Sequence, residues 1–307
     1  MPESELFFEI ASLRTERKNP ASENIDIMTT REILLLINEQ DSAVAAAVRQ
    51  ELPQIERAVD KITEAFKSGG RLFYFGAGTS GRLGIIDAAE CPPTFGSPPE
   101  MVQGVIAGGK EAVFKAQEGA EDLPENGAKE VIERNIMPPD IICGIAASGR
   151  TPFVKGALAE GRRRRVPTIL ISTVSREEIE KIGIVADILI CPDVGPEVIT
   201  GSTRMKSGTA QKLVLNMLTT ASMVRLGKTL GNVMVDLQLT NAKLHERAKR
   251  ILMEITGITY DEAVEFLNRS GGHVKTALVM VLADVSAEDA RKKLDLSGGF
   301  VRKAIQE

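Results

Sequence analysis

The apolar residues Phe73–Phe75 run into GAGTSGR, which sets Gly76, Gly78 and Gly81 in a G-x-G-x-x-G spacing. Two hydroxyls, Thr79 and Ser80, stand inside this stretch. Nine residues after Gly81 comes Glu90, followed by Cys91-Pro92-Pro93. A near copy follows at 144–150, GIAASGR, again behind an apolar run and again closing on Ser-Gly-Arg. Hydroxyls and unpaired N–H groups at the start of a helix suit a phosphate. Thr79, Ser80, Ser148 and Thr151 are the candidate ligands, and helix capping without any ligand is their competing role. A dinucleotide loop fits less well. That fingerprint wants an acid near the end of the second strand, where this chain has VIAGG and then Lys110. A third polar cluster, VITGSTRMKSGTAQK, puts Ser202, Thr203, Arg204 and Lys206 before a helix. Sugar-hydroxyl contacts with a positive charge for an anion, or a capped helix with solvated basic residues, are both open there. Carboxylates beside a phosphate site would add proton transfer. The candidates are Glu90 and the trio Glu118, Glu121 and Asp122 in EGAED, among which the residues alone do not choose.

These loops need a frame. Short apolar runs at 71–76, 101–107, 140–146, 167–172 and 187–192 alternate with helix-patterned segments. That rhythm predicts βαβ units and a parallel sheet, and continuous rather than alternating apolar strands predict a sheet covered on both faces. The expected architecture is α/β, a doubly wound five-stranded parallel sheet in the flavodoxin-like order. In that order the first and third strands are neighbours, so the two Ser-Gly-Arg loops would face one ligand at the carboxyl edge. Residues 1–60 read as helical, with a Thr29 or Thr30 cap before Glu32, a break at Pro53 and a stop at Gly69-Gly70. Beyond 202 no strand run shows; 207–226 and 235–307 read as helices with turns at Gly257 and Gly271-Gly272. The expected organisation is therefore a helical region at 1–60, a sheet domain at 61–226 and a helical region at 227–307. Pro92-Pro93 are expected to stop the first loop's helix. Glu90 would then sit at a helix C-terminus, where the negative end of the macrodipole raises an acid's pKa.

Composition narrows the partners. The 307 residues carry 38 basic and 42 acidic side chains, net −4, and are 43% hydrophobic. That balance leaves no footprint for nucleic acid or an anionic membrane, so an anionic ligand must be held by local groups. The RRRR run at 162–165 reads as a solvated helix end. Cys91, Cys143 and Cys191 are scattered, and only His245 and His273 join them. No metal site is expected, and the cysteines read as reduced and buried. The start, MPESELFFEI, has no basic, apolar leader pattern, and no apolar run nears the ~20 residues of a membrane span. A cytoplasmic protein is expected.

G-T-S at 78–80 together with A-S-G-R-T at 147–151 resembles the sugar isomerase (SIS) family of phosphosugar-binding modules. More closely, GAGTSGRLGIIDAAECPPTFG, EGAED, GIAASGRTP and TGSTRMKSGTAQKLVLNM resemble the N-acetylmuramic acid 6-phosphate etherase family, over nearly the whole chain. The resemblance implies a lyase that works on the open-chain aldehyde of its substrate. A base removes the C2 proton, D-lactate leaves from C3, and water adds to the unsaturated aldehyde, giving N-acetylglucosamine 6-phosphate without metal or redox cofactor. It is a reaction of bacterial cell-wall recycling. By resemblance Glu90 is the proton donor and Glu121 the C2 base. Two carboxylates take opposite roles when their environments push their pKa values apart. Ser80, Ser148 and Thr151 would hold the 6-phosphate, with backbone N–H groups near Gly81 and Gly149, and Thr79, Arg150, Ser202 and Thr203 complete the expected substrate contacts. Other SIS proteins often have polar residues before the second-loop serine; Ala146-Ala147 here would leave room for the lactyl group. Arg82, Arg150, Arg204 and Lys206 are the candidates to meet the lactyl carboxylate. His245 is either a ring-opening residue or a surface one. A homodimer with sites near its interface is implied, with Glu121 able to act across it. A phosphosugar isomerase, and a non-catalytic phosphosugar sensor, are the alternatives.

Overall fold

The computed structural model of the protein describes residues 13–117, 119–237, 239 and 242–306. The N-terminal stretch MPESELFFEI and Glu118 lie outside the described residues.

Five strands, β1 (Leu72–Gly76), β2 (Val102–Ile106), β3 (Ile141–Ile145), β4 (Thr168–Ile171) and β5 (Ile188–Ile190), form one parallel sheet in the order β2-β1-β3-β4-β5. Each falls within an apolar run of the sequence, and the order is the expected one. β1 and β3 are buried along their whole length, as strands with helices on both faces must be. In the β1–β3 ladder Gly76 pairs with Ile145. The two Ser-Gly-Arg loops therefore leave the same edge of the sheet from adjacent strands.

Helices precede and separate the strands. α1 (Thr30–Ser42) opens with a capping box: Thr29 Oγ1 accepts from the Glu32 N–H, and the Glu32 carboxylate accepts from the Thr29 N–H. α2 (Val44–Gln50) gives way to α3 (Leu52–Lys67) at Pro53, which sits in the first turn of α3, where its missing N–H costs nothing. Next come α4 (Gly78–Phe95), α5 (Glu111–Phe114), α6 (Pro124–Glu133), α7 (Pro152–Arg163), α8 (Arg176–Ile182) and α9 (Lys206–Arg225).

One expectation fails at α4. The helix does not stop at Glu90; it runs through Pro92 and Pro93 to Phe95. Pro92 and Pro93 lack the N–H groups that would donate to the carbonyls of Ala88 and Ala89, so the helix continues past them with two bonds fewer. The chain still closes there, with the Gly96 N–H donating to Pro92 O at 2.9 Å. Glu90 thus lies within the helix, more than a turn from its end, and not at the helix C-terminus that was expected for it. The RRRR run lies at the end of α7 with Arg162, Arg163 and Arg165 exposed, and Arg163 and Arg164 both donate to the Glu160 carboxylate.

The described chain forms two compact units. One draws on the chain up to Ala88 and on Glu100–Leu218; the other on Ala89–Pro99 and the chain from Thr219 onward. The first holds the sheet and a core of Phe73, Phe75, Ile142, Phe153, Leu158 and Leu170. The second is helical, with α10 (Ala242–Thr256), α11 (Tyr260–Ser270), α12 (Val274–Ala283), α13 (Ala287–Leu296) and α14 (Val301–Ala304) around Leu252, Leu278 and Val279. Gly257, Gly271 and Gly272 turn the chain between helices with positive φ, where expected. A small antiparallel hairpin, β6 (Thr229–Leu230) with β7 (Val233–Met234), was not expected. Its strands are two residues each, too short to show as a run, and Gly231 (φ +59°) with Asn232 makes the tight turn. Asp236 is half-buried in this unit and paired with Lys228, Lys275 and His273.

Candidate active site at the carboxyl edge of the sheet

The first loop is built by close backbone approach. A Cβ on Gly76 would stand 2.7 Å from the Gly81 nitrogen, and one on Gly81 would stand 2.8 Å from Gly76 O and 2.6 Å from Ile106 Cγ1. The first and third glycines let the opening turn of α4 press on the end of β1. Ser80 thus falls inside the helix, 9% exposed, and its hydroxyl donates to Gln211 Oε1 on α9 at 2.9 Å. Thr79 beside it is half-buried.

The second loop has a different shape. Ser148 sits in a turn before α7, half-buried, and its Oγ accepts from the Arg150 N–H at 3.3 Å. Gly149 takes φ +72°. Thr151 occupies the N-cap position of α7, yet its side chain makes no capping hydrogen bond. The capping role weighed for this hydroxyl is not taken up, which leaves it available to a ligand.

Glu121 belongs with both loops. It lines a cavity of about 180 Å³ together with Gly78, Arg82 and Ala107. Its backbone carbonyl accepts from the Phe153 N–H in the first turn of α7 at 3.0 Å. A second cavity of about 370 Å³ is lined by Ser148 and Arg150 with Arg14, Arg17 and Lys181. Glu90 is exposed on α4, in the segment that belongs to the second compact unit.

The third cluster is arranged otherwise than its composition suggested. Glu197 is buried, and its two carboxylate oxygens accept from the Lys206 and Ser207 N–H groups, both at 2.9 Å. The N-terminus of α9 therefore already holds an anion, the chain's own. Lys206 is buried too; burial pushes its pKa down against the pull of Glu197, Asp41 and Asp193, and its Nζ donates to Gln40 Oε1. Ser202 and Thr203 are half-buried in the turn before α9, and Arg204 is exposed. Among the lactyl-carboxylate candidates, Arg82 donates to Val113 O at 2.8 Å and Ala112 O at 2.7 Å. It ties the chain after β2 to the first loop. His245 is exposed on α10.

α9 carries what the sequence reading missed. Gly208 comes close to Thr79, with the position of a Cβ 3.5 Å from Thr79 Cγ2. Gln211, three residues on and on the same helix face, reaches Ser80. The one available signal was a polar residue in the apolar register of a helix following the third cluster.

Comparison with known proteins now adds to this geometry. A family model described as the glucokinase regulatory protein N-terminal SIS domain matches residues 54–161, and one described as the C-terminal lid domain of glucokinase regulatory protein matches 231–275. An N-acetylmuramic acid 6-phosphate etherase from Salinibacter ruber is 58% identical over 308 residues, covering 100% of this chain and 98% of the relative. One from Photobacterium profundum is 53% identical over 97% of this chain and 98% of its own length. Among solved structures, phosphoheptose isomerase GmhA from Neisseria gonorrhoeae aligns over 63% of this chain and 98% of its own, at 16% identity and TM-score 0.49. At more than half identical residues over the full length of both chains, the protein belongs to the N-acetylmuramic acid 6-phosphate etherase family.

Proposed function

We propose that the protein cleaves the D-lactyl ether of N-acetylmuramic acid 6-phosphate, releasing D-lactate and N-acetylglucosamine 6-phosphate. The reading follows from the full-length etherase relatives. The observation that carries its chemistry is the place of Glu121, on the cavity wall of one hydroxyl-bearing loop and anchored by its carbonyl to the helix that follows the other.

In this reading Ser80, Ser148 and Thr151 hold the 6-phosphate, with N–H groups of the two loops and Thr79, Gly81, Gly149 and Arg150 around them. Ser202 and Thr203 contact the sugar. Glu121 takes the C2 proton of the open-chain aldehyde. The C2–H electrons form the C2–C3 double bond, and the C3–O bond breaks as Glu90 gives a proton to the departing lactate oxygen. Water then adds across the double bond, its oxygen to C3 and a proton to C2. Each positioned proton transfer contributes ~10²–10⁴-fold. No redox change occurs, and no metal or cofactor is called for. Cys91, Cys143 and Cys191 are buried and form no disulfide, which fits a reducing compartment, and we place the enzyme in the cytoplasm. A homodimer follows from the SIS resemblance.

The test is D-lactate release from N-acetylmuramic acid 6-phosphate by the purified protein, beside Glu90→Gln and Glu121→Gln. Release by the wild type, slowed ~10²–10⁴-fold in each variant, is the expected result. Release indifferent to both substitutions would keep the reaction and reject the two acids. Binding of the phosphosugar without lactate would reject the etherase and favour an isomerase or a sensor.

A further inference from the structure

Gln211 is fully buried on α9, one turn after the buried Ser207 and close to the buried Val214, Leu215 and Leu218. Its amide oxygen takes the hydroxyl proton of Ser80 at 2.9 Å. Its amide nitrogen is equally buried and has no hydrogen-bond partner among the described residues. A buried donor left without an acceptor is unfavourable, and such groups in native proteins ask for an explanation.

The ligand supplies one. A phosphate dianion only accepts hydrogen bonds, so a serine that holds it must donate its hydroxyl proton to the phosphate. With the amide oxygen facing Ser80 that proton is already spent on Gln211. Turning the amide by half a rotation about Cγ–Cδ exchanges the two ends. The nitrogen then donates to a lone pair of Ser80 Oγ, and the hydroxyl proton is released toward the loop.

We propose that Gln211 is a positioning residue for the 6-phosphate. With the site filled, its amide N–H donates to Ser80 Oγ and aims the hydroxyl proton at the phosphate. With the site empty, its carbonyl parks that proton. This rests on the reading of Ser80 as a phosphate ligand. Gln211 acts through Ser80 and touches no reacting atom, so the effect belongs in KM and in phosphosugar affinity, not in the proton transfers that set kcat.

A double-mutant cycle on D-lactate release tests it, using Ser80→Ala, Gln211→Met and the pair. Methionine keeps the length of the side chain and removes both polar ends. Gln211→Met is expected to raise KM about tenfold, the worth of one neutral hydrogen bond, with kcat near wild type. The double variant is expected to be no worse than Ser80→Ala, because a residue that works only through Ser80 has nothing left to aim. Costs that multiply, or a loss that falls on kcat and thermal stability with KM unchanged, would overturn the proposal while leaving Ser80 as a ligand. A Ser80→Ala variant with wild-type KM would overturn both. Should Gln211→Met not fold, Gln211→Glu replaces it in the cycle. Its carboxylate can only accept, so it should hold the Ser80 proton and raise KM further than loss of the amide would. A Gln211→Glu enzyme with wild-type KM counts against the proposal.

Discussion

The two Ser-Gly-Arg loops share their last three letters and differ in where the helix begins. After β1 the helix starts at Gly78, so Ser80 and Gly81 are already helical and Ser80 is buried. After β3 the helix waits until Pro152, so Ser148 and Gly149 form an open turn with Gly149 at φ +72°. A serine fixed inside a first helical turn cannot be re-aimed by its own backbone. It takes a second side chain, Gln211, from another helix. A serine in an open turn is oriented locally, by the Arg150 N–H two residues on. The same short motif thus yields one rigid wall and one adjustable wall.

The sharpest way to break this comparison is to add one methyl to each loop. In Gly81→Ala the new carbon meets backbone at Gly76 O as well as the Ile106 side chain. Backbone cannot step aside, so we expect a loss of stability at or above ~3 kcal/mol, the upper end for overpacking, together with lost lactate release. In Gly149→Ala the new carbon meets the terminal methyl of the buried Ile179 side chain rather than backbone, so a side-chain shift can relieve it. The remaining cost is the left-handed conformation, about 1–2 kcal/mol. That variant should fold, with KM raised and kcat retained. Thermal denaturation and lactate kinetics on the pair decide the matter; a Gly149→Ala protein less stable than Gly81→Ala would reverse the assignment of rigid and adjustable walls.

A smaller effect separates capping from ligand binding in the second loop. Thr29 caps α1 through its hydroxyl, whereas Thr151 sits at an N-cap without using its own. Thr29→Val should therefore cost about 1 kcal/mol of stability with unchanged kinetics. Thr151→Val should leave stability within ~0.5 kcal/mol and raise KM about tenfold, as expected for one lost hydrogen bond. Equal stability losses in the two variants would return Thr151 to a capping role.

What was legible in the sequence followed from local rules. The five strands showed because a strand buried on both faces is apolar without alternation, as Leu72–Phe75 and Ile141–Ile145 are. The loops showed because Gly76 and Gly81 answer to backbone crowding within six residues of chain. What stayed hidden depends on distant chain segments. Glu197, nine residues before Lys206, folds back to hold the N-terminus of α9, so of the two readings open for Ser202–Lys206 the one with an external anion finds the helix start already occupied. Gln211 lies 131 residues from Ser80, and no spacing rule connects them. The proline rule, a lost donor and a crowded preceding turn, predicts a stop at Pro92-Pro93, yet the helix carries both and ends two residues later at Phe95.

The least of the expected effects concerns the far end of α7, the helix that follows the adjustable loop. There the Glu160 carboxylate is held down to about 2, chiefly by hydrogen bonds from Arg163, with Arg164 adding to them against the cost of burial. A carboxylate whose folded pKa is depressed contributes stability that is present above its ordinary range, about 4.3. That contribution is lost as pH falls through that range to about 2. Glu160→Gln removes the titration. The wild-type melting temperature should therefore drop more steeply than that of the variant as pH falls from about 5 to about 2, while at neutral pH the variant melts lower. Lactate kinetics at neutral pH should not change, because this cluster sits at the opposite end of α7 from Ser148 and Thr151. If Glu160→Gln raises KM as Gly149→Ala does, the second loop is not independently adjustable but is braced along the whole of α7, and the contrast with the first loop narrows to the hydrogen bond from Ser80 to Gln211.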